Sequence, residues 1–141
     1  MSVNQKVLDA VRQAVSEEFP EGHIVHNEGD LPDNTMYFVF SGEVGIYKRR
    51  PEGEIELIRL GPGKFFGEMA LIHERPRLAT ARVISPTAKL ALMDRAILLK
   101  LAGSSPEFIF YLLRHAVERL LAAEDKLQRV REEIQLLKSG G

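Results

Sequence analysis

The sequence predicts a mainly β fold with flanking helices: an antiparallel β-roll or jelly-roll barrel, with an N-terminal helix and a long C-terminal dimerisation helix. Three observations predict it. Residues 23–93 break into short β-like runs separated by turn residues. Apolar residues recur at helical spacing on both sides of that zone. Strands do not alternate with long helices, and neither GxGxxG nor GxxxxGK[ST] occurs, which argues against the parallel-sheet nucleotide folds. A chain of 141 residues, 45% hydrophobic and 28% charged, is long enough to bury a core of its own as one domain or one domain with an appended helix. Its formal net charge of −1 lacks the global basicity that drives non-specific nucleic-acid binding. It contains no cysteine, so disulfides and thiolate metal sites are excluded. No signal-peptide core is present, nor a run near the roughly 18 apolar residues of a membrane span, and a cytoplasmic location is expected.

The first element, within residues 1–22, is read as one amphipathic helix. Val3, Val7, Val11, Val15 and Phe19 form an i, i+4 stripe behind a Ser2 cap, and Pro20 and Gly22 end it. The β runs follow at His23–His26, Met36–Phe40, Val44–Arg49, Ile55–Leu60, Ala81–Ile84 and Lys89–Met93. Turn residues such as Glu28-Gly29-Asp30, Pro32-Asp33-Asn34, Ser41-Gly42 and Gly61-Pro62-Gly63 separate them. Residues 94–138 return to helical periodicity. Asp94 caps a short helix, Arg95–Ala102, closed by Gly103. Ser105-Pro106-Glu107 then starts a second helix with cap, N1 proline and first-turn acid in order. Along it Leu113, Leu120, Leu127 and Ile134 repeat every seven residues, as do Ala116, Ala123, Val130 and Leu137. A seam of this kind predicts a parallel homodimer. Arg119 would face the partner's Glu124 and Glu133 its Lys138, while Lys126 and Arg131 would repel. All three zones are taken as one domain.

The stretch that carries chemistry runs from Phe65 to Ala81. Gly61, Gly63 and Gly67 lead into a short apolar helical turn, Met69–Ile72. Backbone N–H groups entered through Gly67 offer an anion site, and Arg77 a permanently charged fork for phosphate oxygens. Glu68 is an acceptor placed for a sugar hydroxyl. From the residues alone, this argues for a small phosphorylated ligand and no more.

The run Phe66–Thr80 closely resembles the phosphate-binding cassette of the cyclic nucleotide-binding domains found in bacterial cyclic-AMP regulators and protein kinase A regulatory subunits. The family pattern F-G-E-[LM]-A-L-[IL], followed by P-R-x-A-[TS], is met without a gap by Phe66-Gly67-Glu68-Met69-Ala70-Leu71-Ile72 and Pro76-Arg77-Leu78-Ala79-Thr80. The early β runs and the flanking helices also match, so the resemblance covers nearly the whole chain. It implies that Arg77 pairs with the cyclic phosphate, and that Glu68 accepts from the ribose 2′-hydroxyl and orients Arg77 or a nearby donor. It further implies that Gly67, Met69, Ala70, Leu78 and Ala79 line the phosphate and ribose, and that the last helix caps the purine. Arg119, Ala123 and Glu124 are the candidate purine contacts. Leu78 keeps the backbone N–H but supplies no hydroxyl, which disfavours a syn guanine. Ala123 cannot hydrogen-bond a base, whereas Glu124 could accept from either purine. Cyclic AMP is therefore favoured over cyclic GMP.

Other polar residues carry less. His23, His26 and Glu28 invite a metal, but residues three apart on a strand point to opposite faces, and no metal site is expected. His73 and His115 are lone, no Ser-His-Asp arrangement can be built, and no enzymatic activity or cofactor is expected. Phe65 and Phe66 read as core; Phe108, Phe110 and Tyr111 fit either a pocket wall or helix packing. The expected protein is a non-enzymatic cyclic mononucleotide sensor. In it, cassette movement would repack Leu71 and Ile72 against Ile97, Leu98 and Leu101 and shift a hinge at Gly103–Ser105. With no DNA-binding or membrane segment seen after Lys138, its output is expected through a downstream effector protein. The alternatives are a dimerising adaptor with a degenerate pocket, the sensor fragment of a larger transcription regulator, kinase or channel, and a small metal-dependent barrel enzyme.

Overall fold

The structure is a computed structural model that describes residues 5–140. The Ser2 cap and Val3 lie outside the described residues. The elements are α1 Gln5–Val11, β1 Val15–Pro20, β2 Ile24–His26, β3 Thr35–Ser41, β4 Val44–Arg50, β5 Gly53–Leu60 and β6 Phe65–Phe66. They continue with α2 Glu68–Ile72, β7 Thr80–Val83, β8 Thr87–Asp94, α3 Arg95–Ser104 and α4 Pro106–Ser139. Two four-stranded sheets form, in the orders β1-β8-β3-β6 and β2-β7-β4-β5, and every pairing is antiparallel. The mainly β class with flanking helices and a long C-terminal helix stands as predicted.

The expectation of a single helix at the N-terminus fails. The stripe from Val3 to Phe19 is not one helix: α1 stops at Val11, and Val15 to Pro20 pair with Leu92 to Thr87 of β8. The reason lies in the spacing itself. Residues four apart share a face both on a helix and on a strand, so Val15 and Phe19 satisfy either period. The ladder to β8 decided between them, and Phe19 packs against the core from a strand. The described residues form one unit up to Ile109 and a second from Phe110 onward.

Within the first unit the alternating faces of β3, β4, β7 and β8 bury Tyr37, Val39, Val44, Ala81, Val83 and Leu90 between the sheets. A chain of rings extends this core towards the helices. Phe38 lies 4.9 Å from Phe65, and Phe65 meets Phe108 of α4 edge-on at 5.7 Å. Phe65 and Phe66 are core residues as expected, and Phe108 is fully buried by packing. Val7, Ala10 and Val11 bury one face of α1, and Lys6 pairs with Glu107 at 3.2 Å. The turn between β3 and β4 needs its glycine: Gly42 has φ +81°, and a Cβ there would come within 2.3 Å of the Thr87 carbonyl oxygen.

Asp94 caps α3 as predicted, its carboxylate accepting from the Ile97 N–H at 2.8 Å. Gly103 does not close that helix, which runs on to Ser104 before Pro106 starts the next. The second unit is the remainder of α4, on which Leu113, Leu120, Leu127 and Ile134 are 59%, 62%, 48% and 47% exposed in the single chain. Phe110 is 66% exposed.

Candidate functional site

The site is built on two segments: the α2 turn with the loop that follows it, and the β2–β3 loop. Gly67 enters α2 in the left-handed region at φ +81°. A Cβ there would lie 2.7 Å from the Arg77 Nη1 and 3.4 Å from the Tyr37 ring, so glycine is required by both conformation and space. Glu68 starts the helix, Ala70 and Leu71 bury its inner face, and Met69 is 38% exposed. The helix ends with the His73 N–H donating to the Met69 carbonyl at 3.0 Å. Arg95 of α3 donates to the Leu71 carbonyl and to Glu74, both at 3.2 Å, which ties the end of α2 to α3. Leu71 and Leu101 are buried, and Ile72 is 51% exposed.

Arg77 is the centre of the arrangement. Its side chain is 2% exposed although permanently charged. Nη1 donates to the Gly67 carbonyl at 3.1 Å, and Nη2 donates to the Thr35 carbonyl at 2.8 Å and to the Asp33 carboxylate. The guanidinium sits 5.7 Å from the Tyr37 ring centroid. Its Nε–H is buried and meets no hydrogen-bond acceptor. The main chain at this residue is clamped as well. The Gly29 N–H donates to the Arg77 carbonyl and the Arg77 N–H to the Asp30 carbonyl, each at 2.8 Å. One step further along, the Glu28 N–H donates to the Thr80 hydroxyl at 2.9 Å.

Gly67 and Arg77, ten residues apart, are therefore brought together as the sequence suggests. Glu68, Met69 and Ala70 follow Gly67 directly; Leu78, 50% exposed, and Ala79 follow Arg77 on the way into β7. Arg119, Ala123 and Glu124 lie on α4 in the second unit. The sequence did not single out Asp33, Thr35 or the Gly29/Asp30 clamp as parts of the site. The residues Glu28-Gly29-Asp30 and Pro32-Asp33-Asn34 were legible as turns, but a turn motif carries no mark of the cation it will face.

Behind Arg77 sits His26, 9% exposed, with its ring 6.1 Å from those of Tyr37 and Phe66. Burial and, second, the nearby Arg77 charge push its pKa down to about 4. The unfolded chain takes up this proton near pH 6.5 and the folded chain only near 4, so stability is fully present above 6.5 and falls as the pH drops through that window. The expected loss is about 3 kcal/mol between pH 7 and 4. Urea unfolding of wild type and His26→Phe at both pH values checks it: the variant should lose that much less, and equal losses would refute the assignment. Among the described residues no group of three or more His, Asp or Glu could hold a metal ion. No single described helix is long and apolar enough to cross a membrane.

The β-roll thus carries a buried, incompletely satisfied arginine beside a glycine-entered turn. Its family follows from comparison. The model of the cyclic nucleotide-binding domain matches residues 16–105, and the chain belongs to that family. It is 34% identical over 111 residues to the CRP-like cAMP-activated global transcriptional regulator of Mycobacterium tuberculosis, covering 78% of this chain and 49% of the regulator. It is 32% identical over 100 residues to the cAMP-dependent protein kinase type II regulatory subunit of Drosophila melanogaster, covering 71% of this chain and 26% of the subunit. The chain thus spans about half or less of the length of these relatives. Among solved structures, the Thermus thermophilus catabolite activator protein superposes with a TM-score of 0.79 at 28% identity, over 99% of this chain and 70% of that one.

Proposed function

We propose that this chain is a non-enzymatic, cytoplasmic sensor of a cyclic mononucleotide, with cyclic AMP preferred over cyclic GMP and no resident metal or cofactor. The observation that carries the reading is the Arg77 Nε–H, a charged donor enclosed in the protein and one acceptor short. A buried donor without a partner costs free energy that an anionic ligand would recover. Family membership gives that anion its class. Arg77 and the backbone around Gly67, Met69 and Ala70 take the cyclic phosphate, with Leu78 and Ala79 on its other side. Glu68 accepts from the ribose hydroxyl, and Arg119, Ala123 and Glu124 are the purine contacts. The absence of a hydroxyl at Leu78 supports adenine over a syn guanine.

The response runs through the link between cassette and helices. Drawing Gly67–Leu71 onto the phosphate strains the Arg95 bonds to Leu71 and Glu74, and α3 follows. Any such shift is limited to the difference in ligand contacts between the two states. A downstream effector protein then reads the arrangement of α4. Isothermal titration calorimetry with cyclic AMP and cyclic GMP, on protein stripped of ligand by unfolding and refolding, tests the reading. Micromolar or tighter binding with cyclic AMP preferred is expected. Heat from neither nucleotide, with a folded protein, overturns it in favour of an adaptor with a degenerate pocket.

The exposed seam of Leu113, Leu120, Leu127 and Ile134 supports a homodimer, because a run of large apolar side chains this regular is rarely left in water. Leu120→Glu places a carboxylate from each chain in the seam, and sedimentation should report a monomer with unchanged β-sheet circular dichroism. A dimer that persists in the variant would mean association elsewhere.

A further inference from the structure

We propose that Lys48 is a second cationic ligand for the cyclic phosphate, supplying from β4 the donor that Leu78 cannot; the inference rests on the cyclic-nucleotide reading above. Side chains of β4 alternate: Val44 and Ile46 belong to the core between the sheets, and Tyr47 turns the other way, with the Arg82 guanidinium 4.1 Å over its ring. The register slip between β4 and β5 leaves its extra residue, Leu57, on β5, so the alternation of β4 is undisturbed. Lys48 is thus the next residue on the inward face, a lysine where the pattern calls for an apolar side chain. Ile46 pairs with Ala81 and Tyr47 with Thr80, so the inward position reached after them lies beside Ala79, the end of the cassette.

The side chain uses that placement. Lys48 Nζ donates to the Leu78 carbonyl at 2.8 Å, and among the described residues it forms no ion pair. Lys48 is a half-buried residue whose ammonium, with a neutral carbonyl as its protein partner, keeps two further N–H donors. The residue that holds it follows Arg77 directly, and both flank the place the phosphate would take. Arg77 commits three of its five N–H donors to Gly67, Thr35 and Asp33, so a ligand meets Nε–H and the second Nη1–H there. A phosphate with two free oxygens needs more, and Lys48 is the cation in reach of the same segment.

The test is titration of cyclic AMP into wild type, Lys48→Met, Lys48→Arg and the double variant Lys48→Met/Leu78→Ser, each at low and high salt, with thermal melts of the ligand-free proteins. Lys48→Met should bind about tenfold or more weakly and lose part of the salt dependence of affinity, with an unchanged melt. Lys48→Arg should retain most of the affinity. Serine at 78, which restores a hydroxyl donor, should recover several-fold in the double variant. Lys48→Met binding within twofold of wild type overturns the proposal. So does a loss that is equal at both salt concentrations and accompanied by a lower melt, since a tether for the Leu78 carbonyl would behave that way. A wild type that binds no cyclic nucleotide removes the functional reading itself, a result distinct from either.

Discussion

Arg77→Ala should reduce cyclic-nucleotide affinity by two to three orders of magnitude, about 3–4 kcal/mol, with a folded β-roll retained. The size follows from what the guanidinium does. It is 2% exposed, and a buried phosphate left without its charged partner loses both the ion pair and the hydrogen bonds to it. The fold should tolerate the change because Asp33 is 55% exposed and water can replace its partner. The Gly67 and Thr35 carbonyls lose their donor, which sets a stability cost of about 1–2 kcal/mol. Calorimetry with cyclic AMP beside a urea titration separates the two effects. Affinity within a factor of three of wild type would remove Arg77 from the site.

Gly67→Ala should damage both stability and binding, although it touches no charge. At φ +81° an alanine pays about 1 kcal/mol for its Cβ, and that atom would stand 2.7 Å from the Arg77 Nη1. The guanidinium must give way, breaking its 3.1 Å bond to the Gly67 carbonyl and leaving the pose that a ligand requires. A denaturation midpoint lowered by about 1–2 kcal/mol is expected, together with at least tenfold weaker binding. If only stability falls, the arginine reaches the ligand from another rotamer.

Taken by itself, the sequence determined the β class, most of the strand positions and the pairing of Gly67 with Arg77. These are local or motif-level facts: turn residues bound short β runs, Asp94 and Pro106 punctuate helices in ways fixed by backbone chemistry, and the cassette is contiguous. What only the tertiary structure decided is whatever depends on segments far apart in sequence. Val15 and Phe19 suit a helix or a strand equally, and pairing with β8 chose the strand. Asp33 read as a turn residue until the fold set it against Arg77, 44 residues away. Lys48 lay unremarked inside a β run until the fold set its ammonium against the Leu78 carbonyl, 30 residues on. Periodicity and motifs record the neighbours a residue has along the chain, whereas a buried charge is defined by neighbours that only folding brings to it.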